Sequence, residues 1–123
     1  MMQEKLDRMN EYFTKKRSEC ETARAALSAD DREDEAVFEK IRGNVFEIFQ
    51  TVLAAGTKAK GGDEAAVREF FRQRLGQIPS GWQTALEAAR QHNEPDKAKI
   101  EELKLGAVSE ISAKFAQVWE ENR

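Results

Sequence analysis

Apolar residues recur along this chain at helical rather than strand spacing. Leu6, Met9, Phe13, Lys16, Cys20, Ala23 and Leu27 follow one another at alternating intervals of three and four, the seam of a heptad pattern. The spacing predicts a first helix over residues 3–27. Its stripe is narrow and contains Lys16, which marks an outer helix touching its neighbours along one line. Such a seam serves either a dimeric coiled coil or packing within the chain. Packing within the chain is the expectation, because free-standing coiled coils sustain cleaner heptads.

Ser28, three residues before Asp31, has close to the spacing of a capping box and is expected to open the second helix. Asp30, Asp31, Glu33, Asp34 and Glu35 crowd its first turns, where negative charge meets the positive end of the helix dipole. They lack the spaced ligands and turn glycine of a calcium loop. On a helical wheel Val37, Phe38, Ile41, Val45, Ile48, Phe49 and Val52 share one arc, which Phe46 and Leu53 widen to about half the circumference. The second helix should therefore be the most buried. So wide a face implies several packing neighbours, or a part of the face kept for a partner. The stretch Gly56-Thr57-Lys58-Ala59-Lys60-Gly61-Gly62 is expected to end this helix, and Asp63 to cap the next. Gly56 and Gly61 have the glycine spacing of a phosphate-binding loop. Gly62-Asp63 stands where that loop needs Lys and Ser or Thr, and no strand precedes it, so the motif fails.

The third helix is expected over 64–75, with Val67, Phe70, Phe71 and Leu75 inward. Gly76-Gln77-Ile78-Pro79-Ser80-Gly81 interrupts it. A fourth helical segment then carries Trp82, Ala85, Leu86 and Ala89 as far as His92. End to end, these two short pieces roughly match either earlier helix in length and are read as one broken rod. The interruption is either a simple connector or a hinge that swings Trp82 outward. Asn93-Glu94-Pro95-Asp96 stops that rod and starts the last helix, 96–121, which gathers Ile100, Leu103, Ala107, Val108, Ile111, Phe115, Val118 and Trp119. Short links join antiparallel neighbours. The expected fold is all-α: an antiparallel up-down-up-down four-helix bundle whose third helix is broken at Gly76–Gly81, giving five helical segments in one domain, 1–123.

Composition agrees with long half-solvated helices: of 123 residues, 35% are charged and 40% apolar. A net charge of −3 argues against nucleic acid or an anionic membrane as partner. The absence of a long apolar run and the single cysteine favour a cytoplasmic protein. His92 is the only histidine, so neither a di-iron carboxylate site nor structural zinc can be assembled, and no metal or cofactor is expected. His92 reads as a favourable charge at a helix C-terminus. Cys20 reads as a small buried hydrophobe, and a Cys20–His92 pair would require the two to meet in space. Arg68, Arg72 and Arg74 precede a helix-turn-helix order, yet the following helix offers Arg90 and Glu87 rather than a set of base-edge donors.

Two cations fall on inner faces: Arg74 between Phe70 and Leu75, and Lys104 between Ile100 and Ile111. Either they snorkel, or with Trp82 as an apolar wall they line a pocket for a small acidic ligand. Wide apolar faces and scarce reactive groups favour a non-enzymatic role in protein–protein association, as a homodimer or with another protein. The acidic-ligand site at Arg74, Trp82 and Lys104 is the alternative. An enzyme using His92 with Glu94 or Asp96 ranks below both.

Overall fold

A computed structural model of the chain describes residues 1–120. Five helices follow in order: α1 (Met2–Ala29), α2 (Glu33–Lys60), α3 (Glu64–Gln77), α4 (Ser80–Gln91) and α5 (Pro95–Glu120). They form an all-α bundle of four rods, with α3 and α4 together making the third. The expected last residue of the final helix, Glu121, lies outside the described residues.

The rods alternate in direction. Along α1, Asn10 and then Cys20 meet Gln50 and then Arg42 of α2, the reverse of their order in the chain. Phe49 of α2 meets Phe71 of α3. Along α5 the partners of the third rod run in reverse order without a jump: Arg68 pairs with Glu120, Phe71 with Phe115, Lys104 covers Trp82, and Arg90 pairs with Glu102. The third rod thus stays antiparallel to α5 across its break.

Two helix ends are set by left-handed residues other than glycine. Asp31 has φ 57° and Asn93 φ 54°. Each sits in a Schellman arrangement: Arg32 N–H donates to Leu27 O at 2.8 Å after α1, and Glu94 N–H to Ala89 O at 2.8 Å after α4. Asp31 therefore closes α1, and the Ser28–Asp31 capping box expected for α2 does not form. The Ser28 hydroxyl instead hydrogen-bonds Glu33 at 3.2 Å. Asp63 does cap α3, its carboxylate accepting from Ala66 N–H at 3.1 Å.

The stretch Gly56–Gly62 does end α2, although Gly56 itself is still helical. The helix continues through it to Lys60, and left-handed Gly61 closes it. Gly56 is needed for a close approach: a Cβ there would lie 2.5 Å from Cδ1 of Phe70. At the break, Gly76 and Gln77 belong to α3 and Ser80 and Gly81 to α4. Only Ile78 and Pro79 interrupt, and both keep right-handed helical angles. Proline removes one N–H and crowds the carbonyl four residues back, which breaks the hydrogen-bond ladder while leaving the chain direction intact. Ser80 Oγ donates to the carbonyl of Gln77 at 2.7 Å, satisfying one acceptor freed there.

The core is concentrated where all four rods overlap. Met9, Phe13, Phe46, Phe49, Val67, Phe71, Ile111 and Val118 are fully buried. Leu6, Met9, Phe13 and Cys20 of the α1 seam are buried inside the protein, so that seam is occupied by packing within the chain. Towards the beginnings of α2 and α5 the apolar residues Phe38, Ile41, Ile100 and Leu103 are only half-buried.

Two glycine substitutions separate close packing from helix propensity. Gly56→Ala should lose about 1 kcal/mol net, because overlap with Phe70 costs ~1–3 kcal/mol against ~1 kcal/mol of propensity gained. Gly106→Ala, in α5 with open space around the new methyl, should gain about 0.5–1 kcal/mol. Urea denaturation midpoints measure both, and equal shifts would contradict the Gly56–Phe70 contact.

Candidate functional site

The three residues singled out as a ligand pocket have different partners. Lys104 and Trp82 are brought together, with the ammonium 5.4 Å from the ring centroid. Lys104 also pairs with Glu101 one turn earlier at 3.2 Å, whose side chain is 13% exposed. The guanidinium of Arg74 lies over the Phe70 ring at 4.4 Å and donates to Gln77 at 3.0 Å. Each cation thus covers an aromatic ring on its own helix surface or on the adjacent one.

His92 and Cys20 have different partners. His92 closes α4, exposed, with Nδ1 2.8 Å from Ala88 O. Cys20 is 2% exposed, with its Cβ 3.3 Å from where a side chain on Gly43 would begin. Arg42 Nη1 donates to its sulfur at 3.7 Å. Burial raises the thiol pKa above its ordinary value, and the nearby Arg42 charge only partly opposes this. A thiol so held is a weak nucleophile.

The most connected polar group was not evident in the sequence. Glu110 of α5 accepts from Arg42 of α2 at 3.1 and 3.2 Å and from Lys16 of α1 at 3.2 Å. One carboxylate therefore joins three rods. Beside it, Tyr12 has its ring 5.9 Å from Lys16 Nζ and 5.8 Å from Lys114 Nζ. Its hydroxyl is buried without a hydrogen-bond partner. Burial, with Glu110 adding to it, pushes the Tyr12 pKa up to about 12. For Glu110 burial acts upward too, but the hydrogen bonds from Arg42 and Lys16 outweigh it and hold the carboxyl below its ordinary value. The signal available in the sequence was the placement of Lys16, Arg42 and Glu110 on or beside apolar stripes. What it lacked was the relative height of the three helices. Among the described residues no three of His, Cys, Asp and Glu converge in a way that could hold a metal ion.

A groove of about 520 Å³ runs between α1 and α2 over Cys20. Its walls alternate Arg17, Arg24 and Lys40 with Glu21, Glu39 and Glu47, so it presents no net charge to a small ion.

The remaining feature is an apolar edge on α2. α3 packs on the C-terminal half of α2 through Phe70 against Gly56 and Phe71 against Phe49. Past Pro79 the rod continues as α4, which packs chiefly on α5. The edge of α2 formed by Val37, Ile41, Ile48 and Val52 is left incompletely covered. Val37 is 49% and Ile48 38% exposed, and apart from Met1 they are the exposed large apolar residues among those described. Ile41 and Val52 on the same edge are half-buried. Exposed Glu33, Lys40, Asn44, Glu47, Thr51 and Lys58 border it on the solvent side. No helix among the described residues is long and apolar enough to cross a membrane, so lipid tails do not explain the edge as a spanning segment.

The ion cluster makes stability depend on pH at both extremes. Glu110, depressed from 4.5, contributes stability that is complete above that value and lost as pH falls through its lower folded pKa. Glu110→Gln should therefore flatten the acid limb of a thermal-melting profile taken below about pH 4.5. Tyr12, raised from 10.0 to about 12, contributes stability that is complete below pH 10 and lost as pH rises through 12. It is the only tyrosine, so tyrosinate absorbance in the folded protein should titrate near 12. A midpoint near 10 would show the hydroxyl to be solvated.

No protein-family model, no curated protein and no solved structure matches this chain.

Proposed function

We propose that the protein is a non-enzymatic association module that works through protein–protein contact on the α2 edge. The observation that carries this reading is the alignment of Val37, Ile41, Ile48 and Val52 on one helix face, with the first and third of them exposed. Scattered surface hydrophobes are ordinary, whereas a contiguous apolar strip rimmed by polar residues is the usual form of an interaction surface. The reactive groups support the same reading. The Cys20 thiol is buried with a raised pKa, and the His92 ring lies against a backbone carbonyl of its own helix.

The acidic-ligand alternative has less support. Lys104 is already paired with Glu101, so an anion there would meet a carboxylate as well as a cation. Arg74 is engaged with Phe70 and Gln77.

Val37→Ser with Ile48→Ser tests the association reading. Both side chains are partly exposed, so the pair should cost roughly 1 kcal/mol or less in stability and leave the circular dichroism spectrum unchanged. Wild-type protein should associate, either with itself in sedimentation velocity or with a stoichiometric protein partner captured from host extract. The double variant should lose that association. Identical sedimentation and identical capture for both proteins would overturn the reading.

A further inference from the structure

Resting on the association reading, we infer that the occupant of the α2 edge is a second copy of this chain, with the two α2 helices antiparallel about a two-fold axis beside Asn44 and Val45. The edge is symmetric about that point. Val37 and Val52 lie equally far from it on either side, and so do Ile41 and Ile48. An antiparallel copy therefore sets Val37 against Val52 of the other protomer and Ile41 against Ile48, each contact occurring twice, as an isologous interface requires. The strip from Val37 to Val52 extends for roughly 22 Å at ~1.5 Å per residue, about four helical turns.

The rim charges select the direction. Lys40 and Glu47 are exposed on the solvent side of the strip, on one face and a heptad apart. In the antiparallel arrangement Lys40 of each protomer faces Glu47 of the other. Further out, Glu33 faces Lys58. Both pairs are centred within about one residue of the apolar midpoint. A parallel pair would carry this flank of the two helices to opposite sides of the seam, leaving Lys40 and Glu47 without each other as partners across it. Glu47 also meets Arg17 of its own α1 at 3.6 Å, in a pair where both side chains are about half exposed, so it remains open to a second cation.

Asn44 sits at the axis, exposed. A carboxamide is both donor and acceptor and can pair with its own copy. The α1 seam cannot serve instead, because Leu6, Met9, Phe13 and Cys20 are already buried within the protomer.

Sedimentation equilibrium of the full chain at low ionic strength tests this. Wild type should show a concentration-dependent monomer–dimer equilibrium, and Ile48→Lys should weaken it at least tenfold. Lys40→Glu alone and Glu47→Lys alone should each weaken dimerisation several-fold, while the double swap Lys40→Glu/Glu47→Lys should restore it. That rescue is expected only when the two positions face each other across the axis. As a check independent of charge, Asn44→Cys should form a disulfide-linked dimer on mild oxidation, and Lys58→Cys should not. A protein that stays monomeric at hundreds of micromolar overturns the inference. If such a monomer still captures a different protein through Val37 and Ile48, the association reading survives. A dimer unaffected by Ile48→Lys and by the single charge changes overturns both.

Discussion

Contact between aromatic rings on different rods fixes where α1, α2, α3 and α5 can lie. Phe49 of α2 meets Phe71 of α3 edge-on with centroids 6.1 Å apart. Phe71 in turn lies 4.6 Å from Phe115 of α5, which stacks on Trp119 at 4.8 Å. Tyr12 brings α1 into the set through an edge contact with Phe46 at 6.1 Å. Aromatic side chains bury large areas and prefer a narrow range of mutual geometries. A chain of them crossing four helices therefore sets height and rotation as well as supplying attraction. Gly56 completes the constraint by letting Phe70 approach the α2 backbone. With α3 held against the C-terminal half of α2 and α4 packed chiefly on α5, the beginning of α2 is left with α1 and α5 as its main neighbours.

The charged cluster around Glu110 acts on the same arrangement in a different way. Lys16, Arg42 and Glu110 are each a quarter or more exposed, so screening limits the energy their attraction adds. Their value is directional. A carboxylate that accepts from two different helices is satisfied at one relative height of the three rods, and sliding any rod by a turn would leave a half-buried charge without its partner. Aromatic packing drives the assembly, and the ion cluster disfavours neighbouring registers. Burial in this part of the bundle leaves the Tyr12 hydroxyl without a hydrogen-bond partner and raises the Cys20 thiol pKa.

Much of this was legible in the sequence because helical periodicity reports burial directly. The seam Leu6, Met9, Phe13 and Cys20, the centre of the α2 arc and the inner face of α5 from Ala107 to Trp119 all face the core. The break near Pro79 was legible as a single rod in two pieces, since proline's effect is local and steric. Boundaries were less sharply legible where glycine or aspartate had more than one use. The stretch Gly56–Gly62 was read correctly as the end of α2, but within it Gly61 is the left-handed cap and Gly56 makes room for Phe70. Asp31 looked like part of an N-cap, but the preceding helix uses it as a left-handed terminus. The Lys16–Arg42–Glu110 junction could not be read at all, because a wheel gives the angle of a residue around its own helix and says nothing of its height against another. For the same reason the wheel could not say that Lys104 covers Trp82 while Arg74 covers Phe70.

The breadth of the apolar arc on α2 has two sources that the sequence alone could not separate. Its centre, Val45, Phe46, Phe49 and Leu53, is buried by three neighbouring helices. Its margin, Val37, Ile41, Ile48 and Val52, is not needed for that packing to the same degree. Each of these four is β-branched, and in an exposed helix a β-branched residue is a poorer choice than Ala, Lys or Glu by a few tenths of a kcal/mol. At an isolated surface position such a cost is unremarkable. Repeated along one margin, with exposed polar residues on its outer side, it goes beyond what burial explains, since Val52 packs against the core but Val37 and Ile48 are exposed. On the proposed reading the compensating gain comes when a second α2 covers the margin, and the third rod's departure towards α5 is what keeps that margin open for it.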